Sequence, residues 1–324
     1  MKKQNNMLAY SVRSPFALVV LSVLIWGLYS CDNERNDSDS VPKKVNPGYL
    51  DEKTGLRIAS FNSDECDVVV YYADNGKIDY ITDGDGCCHY VFDADNNKIS
   101  YNRKGDTYQS DGSYMLGYDV SGFLTSVSYS IQSKEEKETY TSNDTERGGI
   151  SLSYDSKSHL THMEFSEREN WTTKRVDGSS NSGSESYTIS IDFYWTGDLI
   201  TRMYVHTKVL GEKERDNKCN LIFVYDNSNY KNKYGQISSF TSLFLWDQLD
   251  MFTCLGWLGV GPVMLPSGCS SEWERTYKGK TENGKGSGIF NYEFTGDGAV
   301  SRCFVGDDEG SYCDFTYDYG VIGK

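Results

Sequence analysis

The motif HLTHM places His159 and His162 three positions apart, the spacing at which two imidazoles on one helix can share a metal ion. Here the pair follows a turn signal and opens a strand-like run, so the two rings diverge. No cysteine or carboxylate sits at ligand spacing beside them. Two surface histidines are therefore expected, and no metal site. The stretch DADNNK, Asp93 to Lys98, imitates the start of a calcium loop. Lys98 stands where such a loop needs glycine and the distal bidentate glutamate is missing, so a plain turn is expected. The chain has no G-x-S-x-G elbow, phosphate loop, dinucleotide fingerprint or H-E-x-x-H. No catalytic residue and no cofactor is assigned. A pair of carboxylates drawn from the 47 acids leaves no local signature and remains open for glycoside hydrolysis.

Nine cysteines remain to be explained. Eight follow Cys31, an even set that permits disulfides in an exported protein. Cys303 and Cys313 flank the turn in CFVGDDEGSYC symmetrically, so they are the best candidates to face each other across a hairpin. Cys87 and Cys88 must point to opposite faces of any strand. Buried thiols acting as small apolar groups are the alternative.

Cys31 has a different context. Lys2, Lys3 and Arg13 precede the apolar run FALVVLSVLIWGLY, which is short for a membrane span and has the shape of a signal-peptide core. The run ends in LYSC, which resembles the bacterial lipoprotein box, with Leu28, the small Ser30 and then Cys31. The resemblance implies cleavage before Cys31 and acylation of its thiol and new amino terminus. An ordinary signal peptide or membrane anchor with an incidental cysteine is the other reading. The following DNERNDSDSVPKKVNPG is polar and without apolar periodicity, as a flexible tether would be. Asp32 and Glu34 directly after the cysteine resemble the surface-export signal of Bacteroidota lipoproteins. Asp39 to Val41 resembles the O-glycosylation acceptor of that phylum, with Ser40 as acceptor or as a plain linker serine.

The elements that must position any site come from a repeated unit: an aromatic, three residues, a turn former, one residue and an aliphatic. It reads Tyr72…Gly76…Ile78, Tyr118…Gly122…Leu124, Tyr154…Ser158…Leu160, Phe193…Gly197…Leu199 and Phe294…Gly298…Val300, with looser copies in FDADNNKI and YDNSNYKNKYGQI. Before each turn the residues alternate, so that YTISIDF puts Tyr187, Ile189, Ile191 and Phe193 on one face. After it, a second apolar residue follows three positions later, as in Leu124/Val127, Leu160/Met163 and Val300/Cys303. A three-residue step in a strand changes face, so a recurrent bulge beside the turn is expected. The units resemble the YD-type repeats of large surface proteins. With the lipoprotein signal, the whole resembles uncharacterised Bacteroidota outer-membrane lipoproteins with a porin-like fold, which implies an extensive curved sheet and no known activity. The fold class is thus all-β: an antiparallel meander of hairpins forming a large curved or barrel-like sheet, with one short amphipathic helix near 242–256. A true outer-membrane pore fits poorly with a lipobox.

That helix lies in the segment where the rhythm stops, between Thr241 and Gly268. Leu245, Leu249, Phe252 and Leu255 recur at helical spacing and Pro262 forbids continuation. It reads either as a plug over the open face of the sheet or as a hydrophobic docking site around Trp246, Phe252 and Trp257. The expected organisation is a signal peptide (1–30), an acidic tether (31–50) and a single all-β domain (51–324) with the insertion at 241–268. Beyond Cys31 there are 29 basic against 47 acidic groups, a net charge of −18, which disfavours nucleic-acid partners. The expected function is a surface-exposed outer-membrane lipoprotein acting as a non-catalytic binding or structural module for a glycan or surface protein, held to the membrane by its lipid anchor. A glycan hydrolase is the alternative.

Overall fold

The structure is a computed structural model that describes residues 49–51, 56–63, 67–72, 78–83, 88–93, 96–211, 214–227, 229–233, 258–259, 261–307 and 312–321. A short β1 (Tyr49–Asp51) precedes β2 (Leu56–Ser63), β3 (Asp67–Tyr72), β4 (Ile78–Asp83), β5 (Cys88–Asp93), β6 (Lys98–Lys104) and β7 (Tyr108–Tyr118). The long strands follow: β8 (Leu124–Lys137), β9 (Tyr140–Tyr154), β10 (Leu160–Arg175), β11 (Ser180–Thr196) and β12 (Leu199–Leu210). The chain finishes with β13 (Arg215–Val224), β14 (Gly268–Tyr277), β15 (Lys280–Phe294), β16 (Val300–Asp307) and β17 (Tyr312–Val321). Each strand from β2 to β17 pairs antiparallel with its sequence neighbours, and β17 returns to pair with β2 from Val321↔Leu56 to Phe315↔Ser63. The result is a sixteen-strand meander forming a nearly closed barrel. Closure leaves no long free edge to template aggregation. The described residues contain no helix, and the expected one at 242–256 lies outside them.

Every copy of the repeat lies at the same end of this barrel, because each unit is one hairpin and the connections alternate between ends. This turn end has a common construction. Asp119 Oδ1 accepts from the amides of Ser121 (2.8 Å) and Phe123 (2.9 Å), and Asp155 Oδ1 from those of Lys157 (2.8 Å) and His159 (2.9 Å). The turn formers Gly122, Ser158, Gly197 and Gly298 all adopt positive φ, at 88°, 66°, 62° and 84°. The DADNNK stretch is another such turn, with Asp93 Oδ1 accepting from the Asn96 amide at 3.2 Å.

The expected bulge is present, and it recurs. Register shifts by one residue at Asp79, Thr125, Thr161 and Ser301, each just after the first aliphatic of the post-turn strand, at Thr201 after the second aliphatic of β12, and at Ala59 in β2. A bulge interrupts the regular ladder around the preceding carbonyl. In five units that carbonyl is taken by an aromatic from the end of the next strand. Tyr72 Oη donates to Ile58 O (2.8 Å), Tyr154 Oη to Leu124 O (2.6 Å), Trp195 Nε1 to Leu160 O (2.8 Å) and Tyr225 Oη to Ile200 O (2.7 Å); Tyr319 Oη donates to Val300 O. The repeated aromatic is therefore a hook that ties one unit to the last, and its ring packs against the core. One copy is corrected by this geometry: the pair in the fourth unit is Trp195↔Ile200, not Phe193 and Leu199, because its hairpin is one residue tighter.

The inner wall carries one continuous core from Ile58 to Cys303. Toward the turn end it is aliphatic and aromatic, with Leu124, Met163, Phe165, Ile191, Met203, Leu221 and Phe290 all at most 1% exposed. Over β8 to β10 the outer wall is the reverse, whereas Val91, Met115, Ile222, Val224 and Ile289 are exposed at outward positions of other strands. Among the described residues of β8, β9 and β10, outward positions are Ser126, Ser128, Ser130, Gln132, Lys134 and Glu136, then Thr141 to Ser153 in alternation, then His162, Glu164, Ser166, Arg168, Asn170, Thr172 and Lys174, and none is apolar. A membrane-spanning barrel needs an outward apolar band about 25 Å tall. This sector has its apolar face inside, so it cannot face hydrocarbon.

Candidate functional site

Strands β8 to β11 run 14 to 17 residues, whereas β3 to β6 have 6 or 7. Since all begin level at the turn end, the long strands overhang at the opposite end and form a one-sided wall. On the inner face of this wall the core changes character: Phe165 is followed two residues later by Glu167, then Glu169, Trp171 and Thr173. This polar mouth is the candidate site.

Register assembles its centre. Glu146 on β9 lies directly opposite Glu169 on β10, and Glu169 directly opposite Glu185 on β11. Like charges directly opposed across strands are destabilising, so three carboxylates in one rung are a feature packing alone would avoid. Glu185 is 6% exposed and accepts a hydrogen bond from Tyr187 Oη at 2.7 Å. One rung deeper, Glu167 accepts from Tyr129 Oη. Burial raises the Glu167 carboxyl to about 7, partly opposed by the Tyr129 hydrogen bond, with Glu146 and Glu169 raising it further. Burial likewise raises Asp144, one rung toward the rim. At neutral pH the mouth thus holds a carboxyl poised near half protonation beside other acids.

Aromatic rings flank the acids. Trp171 lies flat on Gly183 of the neighbouring strand, where an added Cβ would stand 2.1 Å from the indole. Trp273 covers Gly284 in the same way at 2.4 Å. Only glycine allows an indole that close to a partner strand, and such pairs serve curved sheets. A hydroxyl ladder continues the polar lining: Tyr108 Oη donates to Ser133 Oγ (3.0 Å), which donates to Ser110 Oγ (2.9 Å).

The opposite end carries a strap. In its described residues, 258–259 and 261–267, Val263 N donates to Asp198 O (3.2 Å), Leu265 N to Tyr230 O (2.8 Å), and buried Asn232 donates through Nδ2 to Pro262 O (2.8 Å). Gly259 packs so tightly that a Cβ there would meet Ser158 O at 2.5 Å. This described part of the β13–β14 connection lies across the turns, as a cap would. Trp246, Phe252 and Trp257 lie outside the described residues.

The other expected residues separate. His159 is buried, not at the surface as expected, because Trp195 of the adjacent unit stacks on it at 4.0 Å and 7° while Nδ1 meets Asp155 Oδ2 at 3.0 Å. His162 instead sits on the outer wall with Nδ1 at 2.7 Å from Asp192 Oδ1. The two histidines do not converge, and among the described residues no group of three His, Cys, Asp or Glu could hold a metal. Register pairs Cys303 with Phe315 and Cys313 with Val305, so the backbone positions of the two cysteines are not directly opposed. The side chain of Cys313 lies outside the described residues, as do Cys31, Cys66, Cys87 and Cys254. Cys88, Cys219, Cys269 and Cys303 are buried, and burial raises the Cys219 thiol to about 12. No sequence motif announced the acid rung, whose members come from three strands.

No family model matches the chain, and no curated protein matches it. Among solved structures, a porin-like protein from Bacteroides uniformis aligns over 69% of this chain and 95% of its own, at 8% identity and a TM-score of 0.27. A TM-score that low establishes no common fold.

Proposed function

We propose that this chain is a lipid-anchored outer-membrane lipoprotein, displayed at the cell surface, whose barrel stands outside the bilayer as a non-catalytic module binding a glycan or a surface protein at its acid-lined mouth. The carrying observation is the polarity of the walls: apolar residues line the inside and polar ones the outside of β8 to β10. A sector so built does not enter a bilayer, and the LYSC box at Cys31 offers an anchor instead. In the test, cells expressing wild type or Cys31→Ser are fractionated and the membranes washed with alkaline carbonate, with protease added to intact cells in parallel. The proposal expects the wild type to be membrane-bound and shaved by protease, and Cys31→Ser to be released. A Cys31→Ser chain that stays in carbonate-washed membranes overturns it. Screens against glycans and surface extracts then identify the ligand.

One observation favours a second, hydrolytic reading. Glu167, held near 7, is placed to donate a proton at neutral pH, and Glu146 and Glu169 beside it offer the second carboxyl of the pair that glycosidases use. Turnover of a glycan panel that Glu167→Gln abolishes without loss of fold would establish it; no turnover by the wild type removes it.

A further inference from the structure

We infer that the barrel is mounted with its strapped turn end toward the membrane and its acid-lined mouth facing away, an orientation that rests on the lipidation of Cys31 proposed above. The direction follows from where the described chain begins. Tyr49 and Asp51 of β1 pair with Arg57 and Leu56 at the start of β2, and β2 starts at the turn end. The last described residue, Val321, pairs with the same Leu56. An even number of strands brings both ends of the chain to one end of the barrel.

Reach makes the placement consequential. Tyr49 follows Cys31 by 18 positions, and a random-coil chain of that length would span about 23 Å on average. The 14 residues of β8, rising about 3.3 Å each, cover about 45 Å along the strand, or about 35 Å of height at a barrel tilt of about 40°. The tether therefore keeps the turn end close to the bilayer while the mouth projects beyond its average reach. The surface offered to soluble or cell-surface partners is then the mouth, and the strap faces lipid headgroups.

Val120 and Val176, each 79% exposed, sit in turns at the turn end and the mouth end respectively and report this directly. The lipidated full chain, carrying a donor fluorophore through an encoded amino acid at one or the other, is reconstituted into phosphatidylethanolamine and phosphatidylglycerol vesicles containing an acceptor lipid dye. Exposed Asp297 and Glu138 supply a second pair, read in the same way if either valine variant misfolds. The donor at the turn end should be quenched more strongly than that at the mouth. Equal quenching, or stronger quenching at the mouth, overturns the orientation. Cys31→Ser chains run alongside should leave the vesicles; if they bind as the wild type does, the lipidation reading fails instead.

Discussion

The two ends of this barrel are built on opposite terms. At the turn end, carbonyls disturbed by bulges are met by aromatic donors from the next unit, carboxylates cap turns, and the inner wall is apolar. At the mouth, glutamates oppose glutamates across three strands, and a buried carboxyl is held near 7. One end satisfies its polar groups locally; the other concentrates polar groups that repel one another. Strain of the second kind persists where surrounding structure enforces it, and it gathers at functional sites. The difference directs attention to the mouth for ligand binding and to the turn end for stability.

Substitutions can test that division, beginning with the core of the turn end. Phe165→Ala empties a fully buried ring position and should lower unfolding free energy by about 3–5 kcal/mol in urea titration. A loss no greater than that of an outer-wall change would show the inner wall is not the core. Next in size is the pH response of the mouth. The folded pKa of Glu167 lies above its unfolded value, so the unfolded state releases its proton first. Stability should fall as pH rises from about 4.5 to about 7, by up to about 3 kcal/mol, and level off above. Glu167→Gln should flatten that slope; an unchanged slope assigns it to other acids.

Smaller effects probe single hydrogen bonds. Tyr154→Phe keeps the ring but removes the donor to Leu124 O, at a cost of about 1 kcal/mol or somewhat more. Phe294, which has no donor, ends β15, and the pairing of β15 with the preceding β14 is unbulged, so no carbonyl there awaits a hook. Ser271→Ala goes the other way. Its Oγ is buried without a hydrogen-bond partner on the inner wall of β14, so removal should stabilise the fold by up to about 1 kcal/mol in the same titration. A loss there would mean that the hydroxyl has a role in the folded state.

The turn end was legible because its logic is local. Asp119 and Gly122, or Asp155 and Ser158, are fixed by the geometry of a single reversal, and the three-residue step from Leu124 to Val127 betrays the bulge between them. The fourth copy misled, since FYWTGDL offers three aromatics and only pairing reveals Trp195 as the hook. His159 misled for a related reason: its burial depends on a ring from the neighbouring unit. The mouth was illegible because Glu146, Glu169 and Glu185 stand in unremarkable polar runs and meet only through register. Local chemistry writes itself into sequence, whereas a site assembled by pairing does not.

The hook has one more consequence, for how such a chain changes size. The units β9–β10 and β11–β12 each supply the donor that the preceding unit needs and leave a carbonyl for the following one. Duplicating a unit therefore adds two strands, one donor and one acceptor, and balances without any compensating substitution elsewhere. Parity is preserved as well, so both ends of the chain stay where they were. Barrels assembled this way can widen by gene-level copying in steps of two, each step self-consistent from the moment it arises.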